Sequence, residues 1–208
     1  MSWFGLGVAI DGIKAIVTTI KKAGEILQVV AKVLTDVCKE LGLLPSDIQE
    51  EELGDKSIQA EEAGIKVKDF DTYQEYVKAI RDFQIDPEKT KRISLDEKLA
   101  KALELEIIML MKEKPEISVK PCMDLIANHI DFFTPVKVEA FCKLLMEDNK
   151  LIDNIEKVVA KNERNPEIFK TAYATLANIE KQIDPAISDN EAIKRASKFF
   201  QNHEDKNI

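Results

Sequence analysis

A chain of 208 residues with 45% apolar and 33% charged side chains suffices for one sizeable core, or for a domain plus an arm, and falls outside the compositions of disordered and collagen-like proteins. A formal net charge of -8 argues against the clustered Lys and Arg of a nucleic-acid footprint. Three cysteines, Cys38, Cys122 and Cys142, are an odd number at wide spacing, which implies free, buried thiols in a reducing compartment, hence the cytoplasm.

The chain opens with a long amphipathic pattern. Leu6, Ile13, Ile20, Leu27, Leu34 and Leu41 recur every seven residues, and Ala9, Ile16, Ala23, Val30 and Val37 fill the position three later. Such a sustained a/d seam packs lengthwise against other helices. Beside it runs a column of mostly smaller residues, Ile10, Val17, Gly24, Ala31 and Cys38, while Asp11, Lys14, Lys21, Lys22, Glu25, Lys32, Asp36 and Lys39 occupy the opposite face. Charges interrupt the apolar run too often for a membrane span, which needs roughly 17–25 residues with few of them, and Asp11 and Lys14 break the run that a secretory signal requires. As one continuous helix the seam would reach about 52 Å. It is either the spine of the protein's own core or a docking arm built on Ile13, Ile20, Leu27, Val30, Leu34 and Val37. Gly12 and Gly24 leave room for a break. Trp3 and Phe4 would suit a headgroup region if the helix lay on a membrane surface.

Acidity is concentrated in the next segment of the chain. Residues 45–75 carry ten acids against three lysines, whereas residues 1–44 carry four acids against five lysines. Glu50, Glu51, Glu52, Asp55, Glu61 and Glu62 therefore form a candidate acidic surface for a basic partner, or simply a solvated helix face. Gly64 after SIQAEEA reads as a left-handed helix stop with Ile65 beyond it.

Helix-start chemistry then recurs along the chain. Thr72 with Glu75, Ser94 with Glu97 and Ser188 with Glu191 match the capping box, in which hydroxyl and carboxylate satisfy each other's backbone amides. Asp86-Pro87, Thr134-Pro135, Asn165-Pro166 and Asp184-Pro185 place a cap residue before a proline suited to the first turn. Apolar spacing between these signals is helical, as in Leu95, Leu99, Ala102, Leu103, Ile107, Leu110 and Met111, and no alternating run or hairpin turn intervenes. QIDP occurs at 84–87 and again at 182–185, but unequal spacers argue for repeated capping chemistry rather than a repeat fold. The expectation is an all-α, bundle-like fold of about seven to nine helices. Its parts would be a long N-terminal helix over 1–44, an acidic helix-turn segment over 45–75, a helical domain over 76–202 and a polar tail over 203–208.

No catalytic or metal pattern emerges. His129 lies seven residues after Cys122, and Cys142 one helix later, without the close-spaced ligand pairs of a zinc site or the orienting group of a Cys/His pair. Asp69, Asp71 and Glu75 alternate as in a calcium loop, but Tyr73, Gln74 and Ile80 stand where ligands and the turn glycine should be. Glu104 and Glu106 would not share a helix face. The residues imply no cofactor and a non-enzymatic role. We expect an adaptor, assembly or chaperone-like protein that associates with a protein partner or with itself through the N-terminal helix and the acidic surface. The alternative is a membrane-surface or secretion- or toxin-delivery-associated protein with a masked amphipathic helix making peripheral membrane contact. A second alternative is an enzyme whose helical site carries no recognised motif.

Overall fold

The computed structural model describes residues 3–70, 72–160 and 163–201, with backbone alone for residues 3–9 and for Lys68. Its described elements are all helical: α1 (Trp3–Lys21), α2 (Gly24–Glu40), α3 (Glu50–Glu62), a 3-10 turn (Val67–Asp69), α4 (Tyr73–Asp82), α5 (Pro87–Thr90), α6 (Leu95–Glu113), α7 (Val119–Asn128), α8 (Pro135–Glu147), α9 (Lys150–Val159), α10 (Pro166–Ile183) and α11 (Asp189–Gln201). The all-α expectation holds. Eleven α-helices exceed the seven to nine expected, because residues 1–44 form two helices and Pro87–Thr90 closes a short one of its own.

The chain divides into two compact units, residues 1–115 and 116–208. The boundary falls inside the stretch 76–202 that the sequence suggested as one domain, and the first unit joins residues 1–44 and 45–75 to α4, α5 and α6.

In the first unit α6 is the centre, with α1, α2 and α3 all packed on it and α4 packed on α3. The expected single N-terminal helix is interrupted at Lys22 and Ala23. Ala23 leaves helical geometry at ψ 74° and caps α2 without a side-chain hydrogen bond, and Gly24 comes next with its low helix propensity. There is a packing reason for the break. A 52 Å rod would overrun α6, whose 19 residues span about 28 Å, whereas two shorter helices both lie along it. Two glycines then stop helices in the left-handed region. Gly64 has φ 91°, with Ile65 N–H donating to Ala60 O at 2.9 Å, as the sequence suggested, and Gly42 ends α2 in the same way at φ 70°, with Leu43 N–H donating to Cys38 O at 2.8 Å.

In the second unit α10 packs against α8, α9 and α11, and α7 packs against α8 and α9. An aromatic cluster fills part of its core: Phe199 stacks on His129 at 4.0 Å between centroids and meets Phe132 edge-on at 5.0 Å. The capping boxes of Thr72 and Ser94 form as read from the sequence, and Glu191 N–H donates to Ser188 Oγ at 3.2 Å. Prolines 87, 135 and 166 open helices after their cap residues. Asp184-Pro185 does not. Asp184 is instead the last cap of α10, where a following proline prevents continuation.

Candidate functional site

The six seam residues lie in the interior. Ile13, Ile20, Leu27, Val30, Leu34 and Val37 are all buried, none more than 5% exposed. They describe a core spine, with α6 as the helix against which α1 and α2 both pack. Trp3 and Phe4, the candidate membrane anchor, lie outside the residues whose side chains are described.

The acidic set is drawn largely into ion pairs of its own unit. Lys98 on α6 reaches Glu51 at 2.9 Å and Asp55 at 3.6 Å, Lys101 reaches Glu61 at 2.6 Å, Lys89 reaches Glu62 at 2.7 Å, and Lys56 pairs with Glu52 at 2.9 Å. Asp55 is buried, at 3% exposure, and so does not belong to the surface on which the sequence placed it. Glu50 is half-buried, while Glu51, Glu52, Glu61 and Glu62 are exposed. The hydrogen bond from Lys101 holds the Glu61 carboxyl below its ordinary range, and the one to Glu51 holds the Lys98 ammonium above its own. Much of the charge of α3 thus serves to fasten α3 to α6 and to the turn at α5.

Beside these pairs lies an open groove on the first unit. Its base is the α6 stripe of Glu97, Ala100, Lys101 and Glu104, reached at one end through Ile93 and Arg92. Lys14, Val17, Thr18 and Lys21 of α1 form one wall, and Ile58 and Glu62 of α3 form the other, around a volume of about 530 Å³. The groove arises because α1 and α3 pack on α6 at separate places, leaving this stripe of α6 uncovered between them. Farther along the same helix a more enclosed recess of about 390 Å³ opens, lined by Ile10, Ile65, Val67, Tyr76, Leu105 and Ile108 together with the charged Glu61 and Lys66. Lys14, Lys101 and Glu104 line both, so the two are neighbours along α6. Charge is uneven around them. Glu61 and Glu62 are closed by Lys101 and Lys89, while Lys14 and Lys21 close no ion pair among the described residues.

The chemically capable groups are elsewhere, and buried. Thr35 Oγ1 on α2 donates to Glu106 Oε1 on α6, while Glu106 Oε2 has no hydrogen-bond partner among the described residues. Burial pushes the Glu106 carboxyl well above the usual carboxylate range, against the hydrogen bond from Thr35. It pushes the Cys38 thiol up too, with Glu106 adding to the effect. Tyr73 is likewise raised by burial and donates its hydroxyl to Leu105 O at 3.0 Å. In the second unit Cys122 and Cys142 come together, both fully buried, and burial followed by the hydrogen bond with Cys142 raises the Cys122 thiol. His129 stacks on Phe199. Among the described residues no group of three or more His, Cys, Asp or Glu side chains is arranged to hold a metal ion. Of the calcium-like triplet, Asp69 accepts from Lys66 N–H at 3.3 Å and Glu75 from Thr72 N–H at 3.2 Å, both as turn caps, and Asp71 lies outside the described residues.

The groove is what sequence reasoning missed. Lys14 and Lys21 are visible in the sequence as polar-face residues of the N-terminal helix, but nothing in the spacing reveals that α3 packs along α6 at a distance from them. No described helix is long and apolar enough to cross a membrane. No protein-family model, curated protein or solved structure matches the chain.

Proposed function

We propose that the protein is a non-enzymatic helical interaction protein of adaptor, assembly or chaperone-like kind, acting in the cytoplasm, and that it takes its partner in the groove along α6. The observation that carries this reading is the groove itself: a stripe of a central helix left uncovered between two walls, ending in an apolar recess. Helix-in-groove recognition uses such a shape, with apolar side chains supplying affinity and flanking charges supplying register and on-rate. The recess is of a size and lining to seat a bulky side chain as an anchor. The N-terminal seam then contributes by building a wall, not by docking. Glu106, Cys38, Tyr73 and Cys122 support the non-enzymatic part, since burial favours their neutral forms, which suits packing better than proton transfer or nucleophilic attack at neutral pH. The free, buried thiols support a reducing compartment.

Site-specific photocrosslinking tests the reading. A benzophenone side chain replaces Thr18, an exposed residue of the α1 wall, and in a control replaces Lys198, an exposed residue of α11. In cells that express the protein, a discrete adduct from position 18 and none from position 198 is the expected result. Adducts of equal pattern from both positions, or none from position 18, sink the reading.

A further inference from the structure

Resting on that reading, we infer that the groove's occupant is an amphipathic helix of a partner protein, about three turns long, with an apolar stripe and an acidic edge whose carboxylates lie seven residues apart. Three observations set these terms. The first is length. The lined stretch of α6 runs from Glu97 to Ile108, about 16 Å at the helical rise, which is the reach of a segment of roughly 11 residues. The second is the gradient of polarity along the groove. The base near Glu97, Lys101 and Glu104 is charged, whereas the far recess adds the apolar side chains of Ile10, Ile65, Val67, Leu105 and Ile108 to its charged rim, so a bulky aliphatic or aromatic anchor belongs at one end of the incoming helix and polar contacts at the other.

The third observation is the charge of the walls. On the α3 side the carboxylates of Glu61 and Glu62 are already matched at 2.6 and 2.7 Å. On the α1 side Lys14 and Lys21 line the groove and close no direct ion pair among the described residues, Lys14 acting on Glu61 and Lys21 on Glu97 only across space. Glu97, the acid nearest that end of the base, is held in the Ser94 cap, accepting from Ser94 N–H at 2.9 Å and from its hydroxyl at 2.7 Å. Glu104 is the remaining base acid and lines the same cavities as Lys14 and Lys101. Arg92, at the end of the base, closes no ion pair among the described residues either, but α1 carries two such cations in one row, seven residues and about 10 Å apart. A partner helix with Asp or Glu at i and i+7 meets both lysines from one edge, and the same helix with Lys there meets like charge twice. The partner's polarity is thereby specified, and it is acidic.

Two fluorescein-labelled 18-residue helical peptides of identical Leu/Phe stripe test this, one with Glu and one with Lys at the i and i+7 edge positions. Fluorescence anisotropy reads their binding to the full chain and to its K14E/K21E and K14A/K21A variants, each first checked for a wild-type melt. The Glu-edged peptide is expected to bind the wild type roughly tenfold more tightly than the Lys-edged one, the order expected from two partly exposed charge pairs. K14A/K21A should abolish the preference and K14E/K21E invert it. Equal binding of both peptides, binding of neither, or a preference untouched by the lysine variants overturns the acidic-helix inference. Co-sedimentation with phosphatidylglycerol vesicles that depends on Lys14 and Lys21, without peptide binding, overturns it in favour of a lipid surface. Dimerisation lost in the same variants overturns it in favour of a second copy of this chain. The position-18 crosslink is independent of these outcomes: an adduct with no Glu-edge preference leaves the association reading standing and removes only the partner's acidity.

Discussion

Gly54 of α3 lies directly against the backbone of Lys98 on α6. A Cβ at Gly54 would sit 1.8 Å from the Lys98 carbonyl oxygen and 2.5 Å from its carbon, so only a glycine permits this approach. The contact lets Lys98 turn its ammonium back to Glu51 and Asp55 on the same helix. Gly54→Ala must push α3 and α6 apart, and overpacking of this kind costs about 1–3 kcal/mol or more, which outweighs the roughly 1 kcal/mol that alanine gains over glycine inside a helix. Gly12→Ala is the matched control, because nothing lies within 4 Å of its added Cβ. Urea titration should show G54A destabilised and G12A unchanged or stabilised by up to about 1 kcal/mol. Equal effects would mean that α3 and α6 do not meet in this way.

Removing residues 1–44 is expected to unfold the rest of the first unit and spare the second. Six buried seam residues at about 1.5–3 kcal/mol each amount to roughly 9–18 kcal/mol of burial, which matches or exceeds the whole net stability of a typical domain, about 5–15 kcal/mol. The fragment 45–208 should retain a cooperative melt from residues 116–208 and lose the helical signal of α3 and α6. The fragment 116–208 should melt as that remnant does. If 45–208 kept the full helicity expected of α3 to α11, the seam would be an accessory arm.

Much of this fold could be read in the sequence because it is local. The boxes at Thr72 and Ser94, the stop at Gly64 and the apolar stripe of α6 each require only neighbours within a few residues. The seam, too, is legible as a buried surface, but not what buries it, since its packing partner α6 lies some seventy residues away, as the Thr35–Glu106 contact shows. The break at Ala23 reflects the length of α6, a tertiary quantity. Gly54 reads as an ordinary helix-weakening residue until Lys98 is beside it. The acidic set misleads for a related reason: local counting gives a charged surface, while the compensating Lys89, Lys98 and Lys101 come from later in the chain. The groove is a property of three helices together and has no signature in any one of them.

The three thiols should be silent in the native protein. Cys38, Cys122 and Cys142 are fully buried, and burial raises Cys38 and Cys122 far from the range in which thiolate is abundant. A disulfide reagent added at neutral pH is expected to label none of them promptly and all three at once in denaturant. In intermediate urea, mass spectrometry of the labelled chain should separate Cys38, in the first unit, from Cys122 and Cys142, in the second, according to which unit opens first. Prompt labelling of any one thiol in the native chain would contradict its burial.

Glu106 makes the first unit sensitive to pH in a direction opposite to the ion-paired carboxylates. Its folded-state value lies well above the ordinary 4.5, driven first by burial, so the folded form prefers the proton. Linkage then gives stability that is fully present below about 4.5 and is lost as pH rises through the folded value. Glu61 behaves in the reverse sense: lowered by the Lys101 hydrogen bond, it contributes above 4.5 and is lost as pH falls. Glu106→Gln keeps an acceptor for the Thr35 hydroxyl and removes the proton equilibrium, so subtracting wild type from E106Q isolates one group. The difference in melting temperature is expected to be smallest near pH 4 and to grow in favour of E106Q toward pH 9. Thr35→Ala, which takes away the only hydrogen bond given to the buried carboxyl among the described residues, should cost about 1–3 kcal/mol. A pH-independent difference between E106Q and wild type would mean that Glu106 titrates as an ordinary exposed acid, and that α2 and α6 do not enclose it.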